Sequence, residues 1–134
     1  MYVQGMGEVY FSAIICSLLL GGEPEVRLPF SVGYDVNTVR IDCATNDSVV
    51  EVGMDKRSSL DSVQQALFAS HLTGKAPVIY LVDTDGRIGK YETRIRAAAG
   101  MADVEFKTVT KDFLIRWQMT SWLRSYTPVA ANPS

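Results

Sequence analysis

Histidine is almost missing from this chain, and cysteine is scarce. The one histidine, His71, cannot build a metal cluster by itself and is read as structural. The two cysteines, Cys16 and Cys43, stand far apart, with no CxxC pair and no histidine beside them. That excludes a zinc-finger pattern. Both cysteines are expected to be buried free thiols in a reducing compartment. There is no excess of basic residues either. The formal net charge is −2, which excludes a grip on nucleic acid by bulk electrostatics and leaves room only for a local basic patch. Long hydrophobic runs are lacking too. The best candidate, Val9–Leu20 (VYFSAIICSLLL), falls short of the ~20 apolar residues a membrane span needs. Glu8 precedes it and the first basic residue is Arg27, so the positive n-region of a secretory signal is missing. We read this run as a buried helix and expect a cytoplasmic protein without membrane contact. Repeats, linkers and low-complexity segments are absent as well. With 47% hydrophobic and 21% charged residues among 134, one folded domain is expected over residues 1–127, followed by a flexible C-terminal tail, 128–134.

What is present is a chain of short, well-punctuated elements. Residues 5–20 are predicted as the first helix, stopped by Gly21-Gly22. Glu8 lies near its N-terminus, where the helix dipole favours an anion; alternatively it reaches into a site. Glu25–Phe30 (EVRLPF) reads as a strand, and residues 31–37 as a loop or bend around Gly33. Beyond the central segment, Ala76–Val82 (APVIYLV) is a nearly continuous apolar run, the pattern of a central strand covered on both faces. Asp83-Thr84-Asp85-Gly86 reads as a turn. Lys90–Met101 reads as a helix, and Arg87, Lys90, Arg94 and Arg96 make this the most basic stretch of the chain. It is either a solvated face or a surface for phosphates. Val104–Val109 alternates as a last strand. Thr110 caps a final helix whose Ile115, Met119, Trp122 and Tyr126 repeat at helical spacing. That face either covers the sheet or forms a homodimer.

The chemistry concentrates in residues 38–65. Val39 and Ile41 alternate with Arg40 and Asp42; after the turn residues Ala44–Asp47, Val50, Val52 and Met54 alternate with Glu51, Gly53 and Asp55. Period-two alternation predicts a hairpin with one buried face. With the turn centred on Thr45 and Asn46, Asp42 falls opposite Val49 and Arg40 opposite Glu51. Asp42 and Glu51 then project from the same side, away from the core, as two oxygen ligands suited to a hard divalent cation. Asp35, in the preceding bend, competes for the role of first carboxylate. Gly53 marks a bulge or a close backbone approach. Ser58 caps a helix with Leu60, Val63 and Leu67 on one face and Gln65 off it; Thr73-Gly74 closes it.

The order helix, strand, two-stranded hairpin, helix, strand, helix, strand, helix predicts an α/β fold, a mixed five-stranded sheet flanked by helices (α-β-β-β-α-β-α-β-α). This order, with the hairpin carboxylates, resembles the PD-(D/E)XK nuclease superfamily over roughly residues 5–110. Asp42 or Asp35 matches the first acid of the family pattern, and Glu51 matches the second. Gln65 fits a helical glutamine that often follows, and Glu8 fits a glutamate carried by some members. The family's lysine position holds Gly53; Lys56 is the nearest lysine, and a bulge at Gly53 would bring it round. The resemblance implies a restriction-endonuclease-like fold and a metal-dependent nuclease. Asp42 and Glu51 would hold Mg²⁺ or Mn²⁺, Lys56 would supply positive charge, and Arg87, Lys90 and Arg94 would follow a DNA backbone. The missing lysine equally implies a nuclease-like fold that has lost hydrolysis and binds a protein or nucleic acid.

Overall fold

The computed structural model describes residues 4–126. Helix α1 (Gln4–Ala13) runs straight into a π-helical turn, Ile14–Leu19. Strands β1 (Glu23–Val32), β2 (Asp35–Ala44) and β3 (Ser48–Met54) follow, then α2 (Leu60–Thr73), β4 (Ala76–Asp83), α3 (Lys90–Met101), β5 (Glu105–Thr110), α4 (Lys111–Met119) and the short α5 (Ser121–Ser125). The five strands form one sheet in sequence order, β1-β2-β3-β4-β5. β1, β2 and β3 pair antiparallel, whereas β3, β4 and β5 are parallel. The α/β class, the mixed sheet and the order of elements are those read from the sequence. The expected C-terminal tail lies outside the described residues.

The sheet carries helices on both faces. Two successive crossovers in the same direction put α2 and α3 on one side, where Ala66, Ile95 and Ala99 pack on Ile79 and Leu81. The other side buries Phe11, Ile14, Ile15 and Leu114 against Val50, Val52, Val78, Tyr80 and Val82. β4 therefore has both faces covered, as its unbroken apolar run requires.

Three local readings change. The segment expected as a bend at 31–37 is the end of a long hairpin, with β1 paired to β2 as far as Val32 and Asp35 across a tight turn at Gly33 (φ 61°) and Tyr34. Val32, Tyr34 and Val36 are exposed there, so no buried face signalled the strands. The final helix breaks at Thr120. Thr110 caps it as expected, its Oγ1 accepting from the Phe113 N–H at 3.1 Å. Of the expected apolar face, which Leu114 and Trp117 widen, Leu114 is buried, while Met119, Trp122 and Tyr126 stay exposed.

The third correction concerns the cysteines. Cys16 and Cys43 are not free thiols; they form a disulfide, with Cα atoms 5.5 Å apart. The π turn widens the helix so that Ile14, Ile15 and Cys16 all face inward, and Cys16 meets the end of β2. Sequence spacing does not reveal that encounter. Disulfides persist in oxidising compartments and are rare in a reducing cytosol, so the bond weighs against the expected cytoplasmic location. Among the described residues, no helix is long and apolar enough to cross a membrane.

The bond closes a loop across a sequence separation of 27, for which unfolded-chain entropy gives roughly 3.5 kcal/mol. Reduction is expected to lower the thermal midpoint by roughly 10 °C. Circular dichroism melts with and without a phosphine reductant check this. Cys43→Ala should start from the lowered value and respond no further to reductant.

Candidate functional site

β2 and β3 pair over only two residue couples, Cys43 with Val50 and Ala44 with Val49. The turn is centred on Asn46 and Asp47, one residue later than expected. The Thr45 N–H donates to the Ser48 carbonyl, and Thr45 Oγ1 accepts from the backbone of Asp47 and Ser48. The register differs by two residues from the expected one, and its continuation sets Asp42 opposite Glu51.

Beyond Cys43 the strands part. In their place the Asp42 side chain bridges the gap, its Oδ2 accepting the Val52 N–H at 2.8 Å. β2 also turns over at this point. Residues two apart on a strand share a face, yet Ile41 packs with Ala69 of α2 while Cys43 packs with Phe11 and Ile15. On β1, Glu25 has φ 52°, and the Glu25–Asp42 couple is missing from an otherwise continuous register. Asp42 therefore sits at a kink, in a cleft it lines with Glu8, Ser12, Glu25, Arg40 and Arg57.

The two carboxylates are adjacent, but they do not both face solvent. Asp42 is half-buried. Glu51 is 4% exposed, on the side of β3 shared by Val49 and Gly53, which α2 covers. Its Oε1 finds no hydrogen-bond partner among the described residues. Burial pushes the Glu51 carboxyl up to about 9, and the neighbouring Asp42 charge adds to the rise through repulsion and a hydrogen bond to the neutral acid; Arg40 opposes it. Glu51 is thus a neutral acid near pH 7. Arg40 does not pair with Glu51; its guanidinium reaches Glu25 at 3.4 Å. Arg57 pairs with Glu8 across the cleft.

The lysine position of the family pattern is physically closed. A Cβ on Gly53 would lie 2.5 Å from Ser59 Oγ and 2.8 Å from Ser59 Cβ, at the start of α2. The pairing of β3 with β4 runs unbroken through Gly53, so no bulge turns the following residues round. Lys56 lies in the turn after β3 and forms an ion pair with Asp85. That contact raises the lysine's pKa and lowers the aspartate's, chiefly through their hydrogen bond.

The remaining candidates lie elsewhere. Asp35 is at the hairpin tip, opposite Val32. Gln65 lines a groove with Phe30, Thr38, Val39 and Phe68 rather than the Asp42 cleft. Arg87, Lys90 and Arg94 are exposed around the start of α3. Arg96 instead bonds the buried Glu92 at 2.7 Å and stacks over Phe106.

A second acidic cluster was missed. Asp55, Asp83 and Asp85 bring carboxylate oxygens within 4.8 Å of one another and could hold a metal ion. Asp55 leaves β3 as Asp83 leaves β4, and parallel neighbours end side by side; that pairing was the available signal. These carboxylates already have partners. Asp55 accepts from the Thr84 N–H at 2.8 Å and its hydroxyl at 2.9 Å, and Asp83 Oδ1 accepts from the N–H groups of Asp85 and Gly86. No known protein family, curated protein or solved structure matches the chain.

Two outcomes follow for stability. Between pH 4.5 and about 9 Glu51 is ionised in the unfolded chain and protonated in the fold. The native state then binds more protons, so stability falls as pH rises through that window, by up to about 1.4 kcal/mol per unit. Denaturant melts across it should show the slope, and Glu51→Gln should flatten it. Gly53→Ala should cost about 1–3 kcal/mol by overpacking Ser59, read from the same melts.

Proposed function

We propose that this chain is a nuclease-like domain of the PD-(D/E)XK kind, in which Asp42 and Glu51 hold one Mg²⁺ or Mn²⁺ ion beside a nucleic-acid phosphodiester. The observation that carries this reading is the pairing of a buried carboxyl, one oxygen of it unpartnered, with a second carboxylate where two strands separate. A buried acid raised so far beside a second carboxylate marks a candidate functional site. The order of the elements and the β1-to-β5 sheet suit the same family. Two adjacent carboxylates are a fitting oxygen donor set for a hard dication, and ligation requires Glu51 to lose its proton. A dication there would polarise a phosphate oxygen and lower the pKa of an attacking water. The positive charge that the family draws from lysine would come from Arg40 or Arg57, which line the Asp42 cleft. Lys56, engaged with Asp85, stands farther from that role.

One observation favours a second reading, in which the domain binds nucleic acid without hydrolysing it. Ser59 fills the space a lysine at position 53 would need, so the usual water-orienting ammonium has no place.

Mn²⁺ should raise the thermal midpoint at pH 8 and release about one proton per ion bound. Asp42→Asn and Glu51→Gln should abolish both effects, and Asp55→Asn should leave them intact. Loss in Asp55→Asn alone would move the ion to the Asp55/Asp83/Asp85 cluster. Cleavage of labelled single- and double-stranded DNA with Mn²⁺ separates the two readings: hydrolysis lost in Glu51→Gln supports the first, and metal-dependent stabilisation without cleavage supports the second.

A further inference from the structure

The β1–β2 hairpin places two arginines directly across from each other: Arg27 on β1 is the register partner of Arg40 on β2. Like charges facing each other on an antiparallel pair destabilise the hairpin. Both side chains are exposed, so neither is held there by packing. Glu25 answers Arg40 at 3.4 Å, and Arg27 has no ion pair among the described residues. Arg40 lines the cleft that contains Asp42, and Arg57 stands in the same cleft, paired with Glu8. Three guanidiniums thus gather along one hairpin face and the adjoining cleft of a chain whose net charge is −2. The acids facing them are Glu8, Glu25 and Asp42. Past the arginines, residues 31–38 are exposed on both faces, and the tip presents Val32, Tyr34 and Val36 to solvent.

We propose that this hairpin is a nucleic-acid-binding ribbon, with Arg27 and Arg40 on consecutive backbone phosphates. A phosphate on each of the two opposed guanidiniums offsets their repulsion with charge-assisted, bidentate hydrogen bonds. A two-stranded β-ribbon fits the major groove of a duplex, and an exposed tyrosine at its tip offers a stacking face to unpaired bases. The ribbon leads towards Asp42. That last step rests on the proposed function; the binding surface itself does not.

The test is fluorescence anisotropy of labelled single- and double-stranded oligonucleotides with the full chain, in EDTA, over a salt series. The expected result is binding at low salt that Arg27→Ala/Arg40→Ala weakens about tenfold or more. The slope of log affinity against log salt should fall by about two. Arg27→Lys/Arg40→Lys should restore the slope, and Lys111→Ala/Arg116→Ala, exposed on α4, should leave affinity unchanged. The preferred oligonucleotide identifies which form the ribbon reads. No binding at low salt, or an unchanged slope in the alanine pair, overturns the proposal. Binding without the Mn²⁺ effect removes only the metal reading, and the Mn²⁺ effect without binding removes only the ribbon.

Discussion

One hydrogen bond organises the centre of this protein: Asp42 Oδ2 to the Val52 N–H. When β2 leaves β3 after two paired couples, a backbone donor in the sheet loses its ladder partner, and a buried donor left alone would be costly. A carboxylate takes that role. The strands can therefore part without an orphaned N–H, and Asp42 is pinned beside Glu51. The kink at Glu25 and Asp42, the change of face between Ile41 and Cys43 and the cleft lined by Glu8, Arg40 and Arg57 all accompany that one exchange. A hydrophobic residue at 42 would leave the Val52 N–H unpaired; a longer acid would meet Val52 in a different place.

The parallel half of the sheet supplies rigidity to the irregular half. β3 is paired to β4 along its whole length, from Ser48 with Ala76 to Met54 with Val82, and that pairing holds Glu51 in place while β2 departs. α2 then closes one side by setting Ser59 against Gly53. On the other side, the Cys16–Cys43 bond ties the π turn to β2 one residue from Asp42. The strands that carry Asp42 and Glu51 are thus braced from both faces of the sheet, while Arg57 reaches the cleft from the exposed segment between β3 and α2.

Much of this architecture was legible because it follows periodicity. Ala76–Val82 reads as a central strand through its apolar run, and Lys90–Met101 reads as a helix to its observed bounds. What the sequence hid has physical causes. The outer end of the β1–β2 hairpin, residues 31–38, buries nothing, so alternation is silent there. Ile14–Leu19 is apolar on most sides, and nothing in such a run distinguishes α from π winding. Asp42 and Glu51 are neighbours through a register two residues from the expected one, and the expectation that polar positions on a hairpin face water fails at Glu51. α2 covers that side of β3 as well, and alternation cannot say whether a second layer exists. The disulfide and the Asp55/Asp83/Asp85 cluster join residues from separate elements, which spacing along one element does not encode.

On the proposed function, burial of Glu51 would make proton and cation alternative occupants of one site. With Glu51 neutral, the cleft holds Asp42, Glu8 and Glu25 against Arg40 and Arg57, one negative charge in excess. With Glu51 ionised, two carboxylates press together in a place that water scarcely reaches, and only a compact positive charge between them offsets the repulsion. Loss of the Glu51 proton would therefore favour a dication further. On the proposed function, Asp42 and Glu51 would hold the dication, and Arg40 and Arg57 would meet the oxygens of a phosphodiester. Arginine suits that role better than lysine, because its planar fork can hold a phosphate from the rim of a cleft.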